Sequence, residues 1–127
     1  RLQPDQHLIS EIIQLFLKEK ISAGCVISTV GSLKNLKLRL AGSNKFLEKK
    51  ENFEIVSMTG TVSTNGCHLH LSAADSNGLV FGGHLVENNL IYTTCEIVIL
   101  ELKDYQFKRE LNSKTAFNEL KIYLTKS

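Results

Sequence analysis

Three of the four histidines in the 127-residue chain, His68, His70 and His84, fall within one short stretch. Neutral imidazole is the commonest side-chain metal ligand, so their mutual spacing matters. His68 and His70 are two residues apart in a strand-like run, which puts both rings on one face with Cα atoms ~6.8 Å apart. Ser76-Asn77-Gly78 reads as a three-residue turn. With that loop, Asp75 pairs with Leu79, and His84 lands directly opposite His70 and diagonal to His68. Opposite residues share a face with Cβ atoms ~5 Å apart. Three imidazoles so placed can hold zinc, or another divalent ion, with a fourth position open. Cys67 is one residue off the alternation and is expected to face away. The competing reading is a solvated polar face, or core histidines bonded to backbone. Gly82-Gly83 marks either a bulge or close backbone approach, or a gap beside His84 for a small ligand or a second subunit.

Other chemistry is sparser. Glu54 and Glu96 stand in apolar runs. They are either solvated strand residues, or a catalytic acid and base or hydrogen-bond partners of a ligating histidine. Lys34, Lys37 and Arg39, with Lys45, Lys49 and Lys50 beyond them, form a candidate phosphate-contacting stripe. Glu48 and Glu51 interleave, which favours an ordinary solvated face. His7 is expected at the surface. No phosphate-binding loop, dinucleotide fingerprint or nucleophile elbow is present.

The elements that must position these residues follow from period and punctuation. Pro4-Asp5, with Asp5 as N-cap, opens a helix carrying Leu8, Ile9, Ile12, Ile13, Phe16 and Leu17 at helical spacing, and Ser22-Ala23-Gly24 ends it. The period then changes to two. Strands are expected over 25–30, stopped by Gly31-Ser32, then over 36–40 and 53–64, with 45–52 a loop. Asn65-Gly66 is a strong hairpin signal. Further strands are expected over 67–75, 79–85, 90–102 and 105–110. Residues 115–120 read as a short helix and 121–124 as a strand or tail. This is one α+β domain over residues 1–127, a mostly antiparallel meander with a packed N-terminal helix.

Composition bounds the function. Fifteen basic and 13 acidic residues give a net charge of +2, too small to announce a nucleic-acid binder. Tryptophan is absent and aromatics are 7%, which argues against a stacking platform for single strands. Three cysteines without C-x-x-C spacing read as reduced, buried thiols. No run is long enough to span a membrane, and no signal peptide is legible, so a cytoplasmic protein is expected. The opening Arg1-Leu2-Gln3, without methionine, suggests that the first few residues are missing.

Five blocks then carry a family resemblance. They are Gly31-Ser32-Leu33; Phe53-Glu54-Ile55-Val56-Ser57-Met58-Thr59-Gly60; His68-Leu69-His70-Leu71-Ser72-Ala73-Ala74-Asp75; Gly82-Gly83-His84-Leu85; and Tyr92-Thr93-Thr94-Cys95-Glu96-Ile97-Val98-Ile99. Together they resemble the plant- and prokaryote-conserved (PPC, or DUF296-like, PD1-like) domain. The resemblance implies a compact antiparallel α+β fold assembling as a homotrimer. It also implies contacts with other proteins, and a metal site at His68, His70 and His84. In plants this domain follows an AT-hook in nuclear DNA-binding proteins. The Arg-Gly-Arg-Pro hook is absent here, so the arginines that would enter the minor groove are missing.

Three functions are therefore in play. The first is a homotrimeric interaction or regulatory module with a three-histidine zinc site. The second is a zinc-dependent enzyme acting on a small molecule, with Glu54 or Glu96 as acid or base. The third is direct DNA binding through Lys34, Lys37 and Arg39.

Overall fold

The computed structural model describes residues 1–125. Helix α1 (Leu8–Lys18) is followed by β1 (Gly24–Leu33), β2 (Leu36–Arg39), β3 (Phe46–Lys49), β4 (Phe53–Ser63), β5 (Gly66–Ala74), β6 (Val80–Leu85), β7 (Ile91–Glu101), β8 (Tyr105–Asn112) and β9 (Phe117–Leu124). Seven strands form one antiparallel sheet in the order β3-β2-β6-β5-β4-β1-β7, and β8 and β9 pair separately. The β4-β5-β6 stretch is the expected meander. β1 reaches β4 and β7, and β2 reaches β6, across longer connections.

The apolar stripe of α1 lies on one face of this sheet. Leu8, Ile9, Ile12 and Phe16 are buried with Leu36, Leu38, Met58, Leu69 and Leu71 in one core cluster. Burying these side chains is the main drive for folding, at roughly 1.5–3 kcal/mol each. The histidine strand is therefore half buried by design. Leu69 and Leu71 are 1% and 2% exposed, so the residues alternating with them point to the open face.

Both ends of α1 differ from expectation. The helix starts after His7, which makes no side-chain cap, and Asp5 instead has φ +67° and pairs with Lys34. The helix ends earlier, at Lys18, in a Schellman motif. Lys20 takes the left-handed position (φ +55°), its N–H donates to the Leu17 carbonyl, and the Ile21 N–H reaches the Phe16 carbonyl at 2.9 Å. The sequence carried no glycine at that position to mark the stop.

Three other segments also differ. β1 runs through Gly31-Ser32 to Leu33, because β7 pairs along it and bulges absorb the irregularities. The lysine-rich segment expected as a loop contains β3, an edge strand recruited by β2. Residues 115–120 are not helical: β9 pairs with β8 along its whole length, from Asn112↔Phe117 to Tyr105↔Leu124. So short a segment has weak helical stability of its own, and the hairpin partner decides its state.

The cysteines are free, with Cys95 buried and Cys25 and Cys67 partly buried. Burial pushes the Cys95 thiol up to about 11, which makes it a poor nucleophile.

Gly82 and Gly83 separate cleanly. The β5–β6 register runs without a bulge from Ala74↔Val80 to His70↔His84. A Cβ on Gly83 would stand 2.7 Å from the Arg39 carbonyl oxygen, whereas one on Gly82 would meet nothing closer than 3.6 Å. Gly83 is thus the close backbone approach that lets β2 lie against β6. Gly83→Ala is expected to lower stability by about 1–3 kcal/mol, the usual scale of overpacking. Gly82→Ala is expected to fall within about 1 kcal/mol of the parent protein. Urea denaturation of both variants checks the contrast.

Candidate metal centre

The sheet register assembles the site. Thr59 pairs with His70, His70 with His84, and His84 with Arg39, so these four residues form one row across β4, β5, β6 and β2. Thr61 and His68 form the adjacent pair. All lie on the face opposite α1, because they alternate with core residues. Gly60, between the two threonines, has φ +140°, and a Cβ there would stand 1.9 Å from the His68 carbonyl oxygen. Only glycine lets β4 pass this close to the histidine strand.

The three rings converge. Their centroids are 5.0 Å (His68–His70), 5.2 Å (His68–His84) and 5.7 Å (His70–His84) apart. One ring nitrogen from each lies within 4.8 Å of the others. The Nε2 atoms of His68 and His70 are 3.2 Å apart. Two nitrogens each ~2.0–2.1 Å from a tetrahedral zinc stand ~3.3 Å apart, so this pair already has ligand spacing. The Nδ1 of His84 is buried and has no hydrogen-bond partner among the described residues. A buried polar atom that the protein leaves unsatisfied is uncommon and calls for a ligand or water. These observations fit a divalent metal with a preference for nitrogen donors.

Electrostatics favours the ligating form of the rings. Partial burial, and then the charges of His70, Arg109 and Arg39, push His68 below the ordinary imidazole value. Partial burial, followed by Arg39 and the other two histidines, does the same to His84. Both are thus held as neutral imidazoles, the form that coordinates metal.

The other candidates separate. Glu54 is on the histidine face, but it pairs with Ala74, four residues along β5 from His70. That is ~13 Å away. Glu96, on β7, pairs with Val30 on β1, and β7 lies three strands across from β5, or ~14 Å. Neither carboxylate stands beside the histidines. Lys34 pairs with Asp5, and Lys37 with Glu48 at 3.0 Å, so the basic stripe is largely neutralised. Arg39 instead joins the histidine row. Cys67 pairs with Val62 and packs against the core cluster, off the histidine face as expected.

One site residue was invisible in the sequence. Arg109 on β8 donates from Nη2 to the Thr61 Oγ1 at 2.8 Å, and its backbone N–H donates to the Asn65 Oδ1 at 2.6 Å. The C-terminal hairpin is thereby tied over the β4–β5 turn, with Arg109 beside His68. Arg109 lies 41 residues beyond His68 with no motif around it, so only tertiary structure reveals the proximity.

Residues 1–103 match the family model of the Plants and Prokaryotes Conserved (PCC) domain. The chain belongs to the PCC-domain family. Two curated relatives, both named bifunctional protein GlmU and from Synechococcus strains JA-3-3Ab and JA-2-3B'a(2-13), are 40% and 41% identical to it over 122 residues. The match covers 96% of this PCC chain, which spans about a fifth of the length of those relatives (20% and 19%). A hypothetical protein from Salmonella enterica has a similar structure, with TM-score 0.93 and 32% identity over 97% of this chain and 89% of that one. A plant- and prokaryote-conserved protein from Pyrococcus horikoshii follows at TM-score 0.81 and 29% identity, covering 93% and 87% of the two chains. A protein from Archaeoglobus fulgidus described as metal-containing shares the fold, with TM-score 0.77 and 24% identity over 94% and 88%. The PCC match ends before β8, so the hairpin that carries Arg109 lies beyond it.

The lowered affinity of His68 and His84 for protons has a consequence for stability. The unfolded chain takes up protons near the ordinary imidazole value of 6.5, while the folded chain resists protonation until lower pH. The metal-free protein is therefore expected to lose stability as pH falls below about 6.5. Thermal melts from pH 7.5 to 5.5 check this, and His68→Gln is expected to flatten the dependence.

Proposed function

We propose that this PCC domain is a self-associating interaction or regulatory module built around a zinc site held by His68, His70 and His84. The observation that carries the reading is the convergence of three imidazoles on one open sheet face, with two nitrogens already 3.2 Å apart. The metal-containing description of the Archaeoglobus protein supports it. The separation of Glu54 and Glu96 from the histidines, and the engagement of Glu119 by Asn112 and Thr115, favour binding over acid–base catalysis. The pairing of Lys34 and Lys37 with carboxylates disfavours a phosphate-tracking surface for DNA.

Self-association is supported by the apolar side chains left exposed on the neighbouring strands β4, β1 and β7. Val56, Ile27, Val30, Val98 and Leu100 are 47–61% exposed. A contiguous apolar surface of this kind on a small domain is a contact surface. The trimer implied by the family resemblance would cover it.

Metal analysis of the purified protein tests the site. One zinc or other divalent ion per chain is expected in the parent protein, and a near-complete loss in His70→Ala. Equal content in both, or none in either, would sink the site. Light scattering tests the assembly. Three protomers of 14.2 kDa, about 43 kDa, are expected. Val98→Lys is expected to shift the population towards monomer, and a monomeric parent protein would contradict the assembly.

A further inference from the structure

The three-histidine site opens into a groove with a distinctive charge. A recess of about 300 Å³ beside His68 and His70 is bounded by Thr59, Thr61, Arg109 and Leu120. A larger groove of about 1,210 Å³ continues past His84 to Arg39 on one side and to Asn65 and Asn118 on the other. Two guanidinium groups therefore flank the histidines, Arg39 from β2 and Arg109 from β8. Among the described residues neither pairs with a carboxylate. The carboxylate of Glu119 also borders the larger groove. It is engaged by the Asn112 amide and the Thr115 hydroxyl, both at 2.6 Å.

We infer that this groove binds a small polar molecule through an oxyanion, a carboxylate or a phosphate, that occupies the open side of the metal and is held by Arg39 and Arg109. The inference rests on the metal reading above. Three neutral imidazoles leave the ion's double positive charge uncompensated, and two unpaired arginines add to it. An anion is the ligand that relieves this accumulation. The planar guanidinium fork matches the oxygens of carboxylate and phosphate alike. Arg109 is prepositioned: its bond to Thr61 and the tether from its backbone to Asn65 fix it next to His68. Arg39 stands directly opposite His84, and its Nη1 donates to the Ser43 carbonyl at 3.4 Å on the rim of the same groove. The asparagines further along offer neutral donors and acceptors to the rest of such a molecule.

The test uses the full chain loaded with cobalt(II), whose visible spectrum reports changes at the metal. Inorganic phosphate and acetate are titrated separately into the parent protein, Arg39→Gln, Arg109→Gln, Arg109→Lys and Lys18→Gln. Metal content and melting temperature are measured for each. Saturable spectral change is expected with at least one anion, and the preferred one identifies the headgroup. Affinity is expected to fall about tenfold or more in Arg39→Gln and Arg109→Gln, the scale of one charge-assisted hydrogen bond. Arg109→Lys is expected to recover part of it, and Lys18→Gln, on the opposite face, to match the parent. Full metal content with no anion effect, or equal affinity in all five proteins, overturns the anion site while leaving the metal site standing. Failure of the parent protein to take up metal overturns the underlying reading and the anion site with it.

Discussion

The arrangement depends on one constraint, the register between β5 and β6. Side chains on a strand alternate with period two, so a slip of one residue would exchange the two faces of β5. Leu69 and Leu71 would then face water, and His68 and His70 would enter the core beneath α1. Burial of those leucines, with Leu85 on β6, makes such a slip prohibitive. The turn at Ser76-Asn77-Gly78 fixes the offset: the Asp75 carboxylate accepts the backbone N–H groups of Asn77 and Leu79 at 2.9 and 3.0 Å. Hydrophobic burial on one face thus places three polar rings together on the other. The three histidines cost the core nothing, because they use the face that the core does not need.

The neighbouring strands extend that register into a site. Asn89, almost completely buried, receives the Lys37 N–H and donates to the Lys37 and Val86 carbonyls. It therefore locks β2 to the loop after β6, which keeps Arg39 opposite His84. On the other side, the C-terminal hairpin is tied to the β4–β5 turn and brings Arg109 to His68. Partial burial and then the positive charge so gathered work in one direction: they disfavour protonation of His68 and His84 and favour the neutral form. The positive charge also leaves the groove in want of an anion.

Much of this was legible in the sequence, and for physical reasons. The pairing of His70 with His84 follows from a three-residue turn and strand alternation alone, and the helix face follows from the spacing of Leu8, Ile9, Ile12 and Phe16. The errors lie where local signals compete with tertiary ones. Asp5 reads as an N-cap but is held by Lys34. Gly31 reads as a stop but sits inside a bulged strand. Residues 115–120 read as a helix until β8 supplies a pairing partner. Glu54 and Glu96 stood out because each is a charge in an apolar run, yet that pattern says nothing about distance across a sheet. Arg39 was grouped with a lysine stripe from its own strand, and only the β2–β6 pairing moves it to the histidines. Arg109 had no local signal, because its role depends on where a separate hairpin folds back.

The central claim is that a metal is held by three imidazoles on this face. X-ray absorption at the metal edge of the zinc-loaded protein addresses it most directly. The account predicts three nitrogen neighbours with imidazole scattering at about 2.0–2.1 Å, plus one lighter-atom ligand. A sulfur shell near ~2.3 Å, which would bring in a cysteine, or a shell of oxygens without imidazole, would contradict it.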